Sequence, residues 1–279
     1  MIVISGSPLP MSEMLGTYPE NSVERQLLEQ MSKSAETYRY DTLEQLKFEL
    51  ALRREIVGAA KKLNGSGMGF AVFHKSECNP DYWDRTSSGG FRLNSGVKPS
   101  DAIRDIFTNG RKYATECATA MVIVYYGALL AVLPEEKFNT LFRSIYLMNW
   151  RELDPLLRDV GTPTTVKDIL LGDRCYFRNP EVSPEVPELQ GENVIVLPNG
   201  LYYGHGMGIT NAERIILVLN ANRIENATKS AYFMENSAAR PNFKRLADAS
   251  QPATRPDVAQ PATRPAPLRW RPFPPPISR

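Results

Sequence analysis

Apolar positions in the first part of the chain recur at helical intervals. Asn21-Ser22-Val23-Glu24 and Asp41-Thr42-Leu43-Glu44 have the make-up of helix N-termini, and the second is followed by Leu43, Leu46, Leu50, Val57 and Ala60 on one face until NGSGMG (64–69) breaks the pattern. The runs MGFAVF, DYW and GFRL then predict short strands joined by polar turns, with Ser87-Ser88-Gly89-Gly90 as one tip. Pro99-Ser100-Asp101 opens a further helix that Asn109-Gly110 ends, and KFNTLFRSIYLMNW (137–150) sets Phe138, Leu141, Phe142 and Ile145 at helical spacing. After Trp150 the period changes. RCYF, NVIVL and LYY predict strands around a Pro-Asn-Gly turn, and Gly204-His205-Gly206-Met207-Gly208 follows. The apolar start MIVISGSPLP predicts a strand or strap.

The most apolar stretch is TECATAMVIVYYGALLAVL, Thr115 to Leu133, stopped by Pro134. It is too short to span a bilayer and suits a helix buried on all sides. Cys117 stands at its start, with Thr115 as the expected N-cap and Glu116 in the same turn. A free cysteine often only fills core space. At a helix start, unpaired N–H groups and the positive end of the dipole also favour a thiolate, which is the setting of a nucleophile. Both readings stand on the local sequence.

Helices first and sheet second is an α+β pattern. It is also the order of papain-like cysteine enzymes, in which a cysteine at a helix N-terminus faces a base on an antiparallel sheet. The chain holds two histidines, His74 and His205. His205 lies among glycines that let backbone bend and substrate approach, whereas His74 follows the FAVF strand and reads as a surface residue. Glu192, in Gln190-Gly191-Glu192-Asn193 before NVIVL, is either an exposed carboxylate at a strand start or a group directed at Cys117 across the helix–sheet interface.

Composition adds boundaries. With 279 residues, 42% hydrophobic and 23% charged, the chain can bury an ample core in one or two domains. Its formal charge of +2 divides unevenly: residues 241–279 hold seven Lys or Arg against two Asp, or +5, leaving −3 for residues 1–240. Three widely spaced cysteines, Cys78, Cys117 and Cys175, give neither a disulfide framework nor a zinc motif. No metal or cofactor is expected, and without GxGxxG or a P-loop neither is nucleotide binding. Nucleic-acid and membrane partners are not expected. The N-terminus has no basic n-region and too short an apolar segment for a signal peptide, so the sequon at Asn226 carries no weight. Beyond Arg240 there are ten prolines and two copies of QPATRP, starting at Gln251 and Gln260. The domain reading is therefore 1–240 as the folded unit, the candidate catalytic domain if Cys117 is a nucleophile, and 241–279 as an extended basic tail.

ECATA followed by VIVYY, together with GDRCYFRNP, GENVIVL, YYGHGMGI and PSDAIRDIFTNG, resembles the spore-coat protein transglutaminases of endospore-forming bacilli, from Met1 to about Arg240. The resemblance implies an NlpC-type papain-like core, and a protein-glutamine gamma-glutamyltransferase that works without calcium and joins glutamine to lysine side chains in spore-coat proteins. It also implies synthesis in the mother-cell cytoplasm and residence in the coat. It assigns the nucleophile to Cys117, the principal catalytic glutamate to Glu192, a partly substituting glutamate to Glu116, and the sheet histidine to His205. Leu189 stands where the family carries tryptophan before GEN, and Asn149 where an acidic residue precedes Trp150. Both bear on the lining of the active-site tunnel and not on the nucleophile.

Moving a proton from an ordinary thiol to an ordinary glutamate is uphill by about 5.7 kcal/mol, against about 2.7 kcal/mol for a histidine. Chemistry thus favours His205 as base and the resemblance favours Glu192. The two agree only if burial raises the glutamate pKa while the helix start lowers that of the thiol. Glu116 can reach Cys117 only from a cap with non-helical geometry. A cysteine amidase on the same fold and a non-catalytic coat scaffold are the competing functions. Gln251 and Gln260 are candidate acyl donors for self-cross-linking, each constrained by the proline after it.

Overall fold

An apolar run with no polar face has to be covered on every side, and the fold is arranged to do so. In a computed structural model, which describes residues 1–251, Ala118 to Tyr126 form an unbroken buried stretch of more than two helical turns. The helices are α1 (Met11–Thr17), α2 (Val23–Lys33), α3 (Leu43–Gly65), α4 (Pro99–Thr108), α5 (Cys117–Val132), α6 (Glu135–Leu141), α7 (Ala212–Asn220) and α8 (Phe243–Ser250). α5 packs most extensively on α3, with α4 and α6 beside it and the main sheet across its N-terminal half. The helix starts fall where expected, but the caps sit one residue later than the capping boxes read from Asn21-x-x-Glu24 and Asp41-x-x-Glu44. Ser22 accepts from the Arg25 N–H, Thr42 accepts from the Gln45 N–H, and the Gln45 side chain accepts from the Asp41 N–H.

The main sheet is antiparallel throughout, in the order Gly208–Asn211, Leu201–Gly204, Gly191–Val196, Arg174–Arg178, Tyr232–Phe233. The architecture is therefore mixed α+β. Ile195 and Tyr203 join the large core around α3 and α5. Cys175, Phe177 and Val194 join a second core completed by Ile215 and Leu219 of α7. Alternation along the strands thus sends Arg174, Tyr176 and Asn193 toward α5, since Arg174 pairs with Ile195 and Tyr176 with Asn193.

The expected MGFAVF strand shortens to Gly69–Phe70 and α1 was not foreseen, and three further elements depart from the sequence reading. α6 ends at Leu141, and Phe142 leaves the helical region. Tyr126, Phe138 and Phe142 cluster edge-on there, and the chain turns so that Tyr146–Leu147 pairs with Phe91 and Arg92. α7, which the sequence reading passed over, starts where Asn211 accepts from the Arg214 N–H. The third departure moves the domain boundary. α8 lies inside the expected tail, with Phe243, Leu246 and Ala247 buried against the core and the Arg53 guanidinium 4.5 Å from the Phe243 ring centroid. An Asn242 cap and an apolar stripe shorter than three turns were outweighed, in the sequence, by the prolines beyond. The expectations for the remainder of the tail, Gln260 included, lie outside the described residues.

Near α8, Asp173 is fully buried and accepts from Arg53 of α3, from Arg240 at two atoms and from the Leu170 N–H. Such complete partnering offsets the cost of burying the carboxyl. α8 should therefore belong to the cooperative unit. Leu246→Ala is expected to cost about 2–5 kcal/mol in urea or thermal unfolding, and a chain ended at Arg240 more than that. Unchanged melting of the shortened chain would show that α8 contributes nothing.

Candidate active site

The start of α5 opens into a cavity of about 910 Å³. Cys117 lies on its wall, half-buried, together with Glu116, Asn149, Trp150, Arg174 and Asn193. Phe70, 42% exposed, and Phe73 supply aromatic surface, and Glu185 and Glu188 supply exposed carboxylates.

Glu116, rather than Thr115, is the N-cap of α5, in the extended geometry (φ −86°, ψ 171°). Its carboxylate accepts from the Ala118 N–H at 2.5 Å, the Thr119 N–H at 2.9 Å and the Thr119 hydroxyl. The Thr119 hydroxyl in turn accepts from the Asn149 N–H at 2.7 Å, which fixes the loop before Trp150 to the helix start. Burial raises the Glu116 pKa against these hydrogen bonds. The cap geometry that would bring Glu116 beside Cys117 is thus present, but both its oxygens are occupied by α5 itself.

Glu192 is 3% exposed, so the reading of a solvated strand-start carboxylate is wrong. Its side chain lies over Gly204, where an added Cβ would come within 2.9 Å of Oε1, and Oε1 has no hydrogen-bond partner. Burial pushes its pKa well up, the Glu116 charge adds to the rise, and the His205 backbone opposes it. The condition that burial raise the glutamate is met.

The companion condition is not. The Cys117 thiol is pushed up to about 12, first by burial, then by the charges of Glu192 and Glu116. The helix-start field that was expected to lower it is largely spent on the Glu116 carboxylate. Of the two opposing charges Glu192 weighs more on the thiol than Glu116, so the titrations of the thiol and the Glu192 carboxyl are linked.

The hydrogen bond to the sulfur comes from a residue that sequence reasoning missed. Asn193 Nδ2 donates to Cys117 Sγ at 3.5 Å, and Asn193 Oδ1 accepts from Arg174 Nη1 at 2.8 Å. No sequence motif marks this pair, because strand register brings it together.

His205 makes no hydrogen bond to Cys117. Its Nε2 lies 3.0 Å from the Gly69 carbonyl, which can only accept, so Nε2 carries the proton and Nδ1 accepts from the Tyr203 hydroxyl at 3.1 Å. Both nitrogens are occupied, and burial lowers the ring's pKa, holding it neutral. His74 is exposed, as read from the sequence, and stands at the cavity rim. Leu189 packs on the second core and not into the cavity, while Asn149, at φ 51°, does line it. Among the described residues no group of three His, Cys, Asp or Glu could hold a metal ion, and no helix is long and apolar enough to cross a membrane.

Comparison with known proteins accounts for nearly the whole described chain. A family model described as protein-glutamine gamma-glutamyltransferase matches residues 1–250. A protein of that name from Halalkalibacterium halodurans is 40% identical over 237 residues, 83% of this chain and 80% of its own. One from Bacillus mycoides is 44% identical over 220 residues, 78% of each. Among solved structures, the transglutaminase from Geobacillus stearothermophilus without its C-terminal extension superposes with a TM-score of 0.70 at 44% identity, over 75% of this chain and 99% of that one.

The desolvated carboxyl has a signature in stability. Burial raises the folded pKa of Glu192 above its unfolded value, so the folded chain keeps a proton that the unfolded chain releases. Stability is full below the ordinary carboxylate range and falls as pH climbs from there through the raised folded pKa. Glu192→Gln cannot ionise and removes this loss, leaving only the smaller one from Glu116. Its melting temperature should exceed that of the unmutated chain by a margin that widens from about pH 5 to about pH 8. Parallel melting curves across that range would contradict the buried placement of the carboxyl.

Proposed function

Because the chain belongs to the protein-glutamine gamma-glutamyltransferase family, we propose that it transfers acyl groups through a thioester on Cys117, with Glu192 as the proton acceptor and donor, on a core of the papain-like NlpC type. The observation that carries this reading is one half-buried thiol at a helix start, on the wall of the cavity and within electrostatic reach of a buried carboxyl whose pKa is raised.

The steps follow from the groups present. The Sγ proton passes to the Glu192 carboxylate as sulfur attacks the carboxamide carbon of a substrate glutamine. A raised carboxyl pKa shortens the uphill step that an ordinary glutamate would face. The oxyanion falls near the Cys117 N–H, since the Ala118 and Thr119 N–H groups are taken by Glu116. Glu192 then returns the proton to the departing nitrogen, ammonia leaves, and the thioester remains. A lysine amine, entering neutral, attacks the thioester, its proton passes to Glu192 and from there to the departing sulfur, and the isopeptide bond is left with thiol and carboxylate restored. Aromatic surface from Phe70, Phe73 and Trp150 favours the neutral amine and limits hydrolysis to glutamate.

In this scheme Glu116 holds the helix start and substitutes as a base only by leaving its cap. His205 braces the Gly69 segment beneath Phe70. The substrates are proteins bearing exposed glutamine and lysine, and we assign them to the spore coat on the strength of the family resemblance. Exposed Gln251, whose carbonyl accepts from the Lys137 ammonium, is the candidate for self-modification within the described residues.

Cys117→Ala should abolish incorporation of a labelled primary amine into a glutamine-bearing protein in calcium-free buffer, while Cys78→Ala retains it. Ammonia release that does not depend on the amine would instead identify an amidase, and unchanged cross-linking by Cys117→Ala a scaffold. Glu192→Gln should lower turnover by on the order of a hundredfold, with Glu116→Gln and His205→Ala each losing less. A His205→Ala variant that is folded but inactive, beside an active Glu192→Gln, would return the role of base to the histidine.

A further inference from the structure

We propose that Arg174 is a positioning residue of this site, a buried cation that fixes the Asn193 amide with its N–H toward Cys117 and so supports the thiolate. The inference rests on Cys117 being the nucleophile.

Arg174 is 4% exposed, yet none of the salt bridges among the described residues includes it. Nε donates to the Val160 carbonyl at 3.0 Å, Nη1 donates to Asn193 Oδ1, and the guanidinium carbon stands 4.5 Å from the Trp150 ring centroid. Nη2 is buried with no partner. A buried guanidinium with an orphaned nitrogen and no carboxylate is a net cost to folding, and an apolar side chain of the same length would remove that cost. Its contrast with its neighbour is direct: Arg53 is equally buried but is matched by Glu49 and Asp173.

What Arg174 supplies is the orientation of an amide. A guanidinium only donates, so the Asn193 oxygen must face it, and the amide N–H₂ must face the sulfur. Without that partner the amide is free to turn its oxygen to Sγ, which repels a thiolate. The cation also offsets two carboxyl groups that bear on the same sulfur. The titratable groups around Cys117 are Glu116 at the cap, Glu192 on the Gly191–Val196 strand, Tyr176 beside Arg174 on its strand, and Tyr203 on the Leu201–Gly204 strand. His74, Lys75, Glu185 and Glu188 also line the cavity but are exposed to solvent, so Arg174 is the buried cation among the described groups there and favours a negative sulfur.

The test measures the pH dependence of Cys117 alkylation by iodoacetamide, read by peptide mass mapping of the full chain, beside kcat, KM for a small amine, and melting temperature. Arg174→Met is expected to move the alkylation midpoint upward and lower kcat by on the order of a hundredfold, with KM little changed and melting temperature equal or higher. Arg174→Lys keeps the charge but loses the fork, and should recover part of the midpoint shift. If Arg174→Met does not fold, Asn193→Asp keeps a bond to Arg174 while removing the donor to sulfur, and should shift the midpoint the same way. Midpoints and kcat unchanged in the folded variants, with lower melting temperature, would assign Arg174 a purely structural role. If blocking Cys117 in the unmutated chain leaves transfer intact, the nucleophile assignment fails instead, whatever the Arg174 variants show.

Discussion

Everything near the site depends on α5 having no polar face. A helix that is apolar all round is stable only when wrapped, and α3, α4, α6 and the sheet supply the wrapping. The wrapping buries the N-terminus of α5 as well, where backbone N–H groups have no helical partner. One carboxylate, Glu116, resolves this by capping the Ala118 and Thr119 amides, and the Thr119 hydroxyl ties Glu116 to the loop before Trp150. The thiol beside it is therefore placed by a folding requirement. The position that is hardest to desolvate becomes the wall of the cavity.

Desolvation sets the chemistry in turn. In a low dielectric, separated charges cost much more than in water, so two carboxyls and a thiol cannot all be ionised together. Glu192 has no compensating donor on Oε1, whereas Glu116 has three hydrogen bonds. The carboxyl that lacks partners is the one free to hold or release a proton. This asymmetry separates the two glutamates that are indistinguishable by residue type.

Much of this was legible in the sequence, and the division follows the range of each interaction. Cys117 at the helix start, the starts of α2 and α3 and the strands around Pro198-Asn199-Gly200 are local, and local pattern found them, missing the caps of α2 and α3 by one residue. The family resemblance singled out Glu192 and Glu116 and ranked Glu192 first, but which amides each carboxylate meets was not legible, because that depends on how the helix start is packed. His205 looked poised among its glycines. Gly69 and Tyr203 occupy both its nitrogens, and only Tyr203 is near it in sequence. Asn193 and Arg174 were invisible for a related reason: their pairing needs the register that sets Tyr176 opposite Asn193 and Arg174 opposite Ile195. α8 was masked by prolines that lie beyond it.

Adjacent residues then join the stability of the fold to the geometry of the site. Asp173 is held by Arg53 and Arg240, and the Arg174 backbone beside it is gripped from both edges, by its pairing with Ile195 and by two hydrogen bonds with Ala239 at 3.1 and 2.8 Å. The Arg174 side chain can therefore carry an unpartnered nitrogen without drifting, because its main chain has no freedom to follow. The segment that grips it, Ser237 to Arg240, leads directly into α8, whose packing on α3 covers Arg53. Arg174 spends folding energy where Asp173 and α8 supply it, so the C-terminal helix, remote from the thiol, helps hold the amide that faces it.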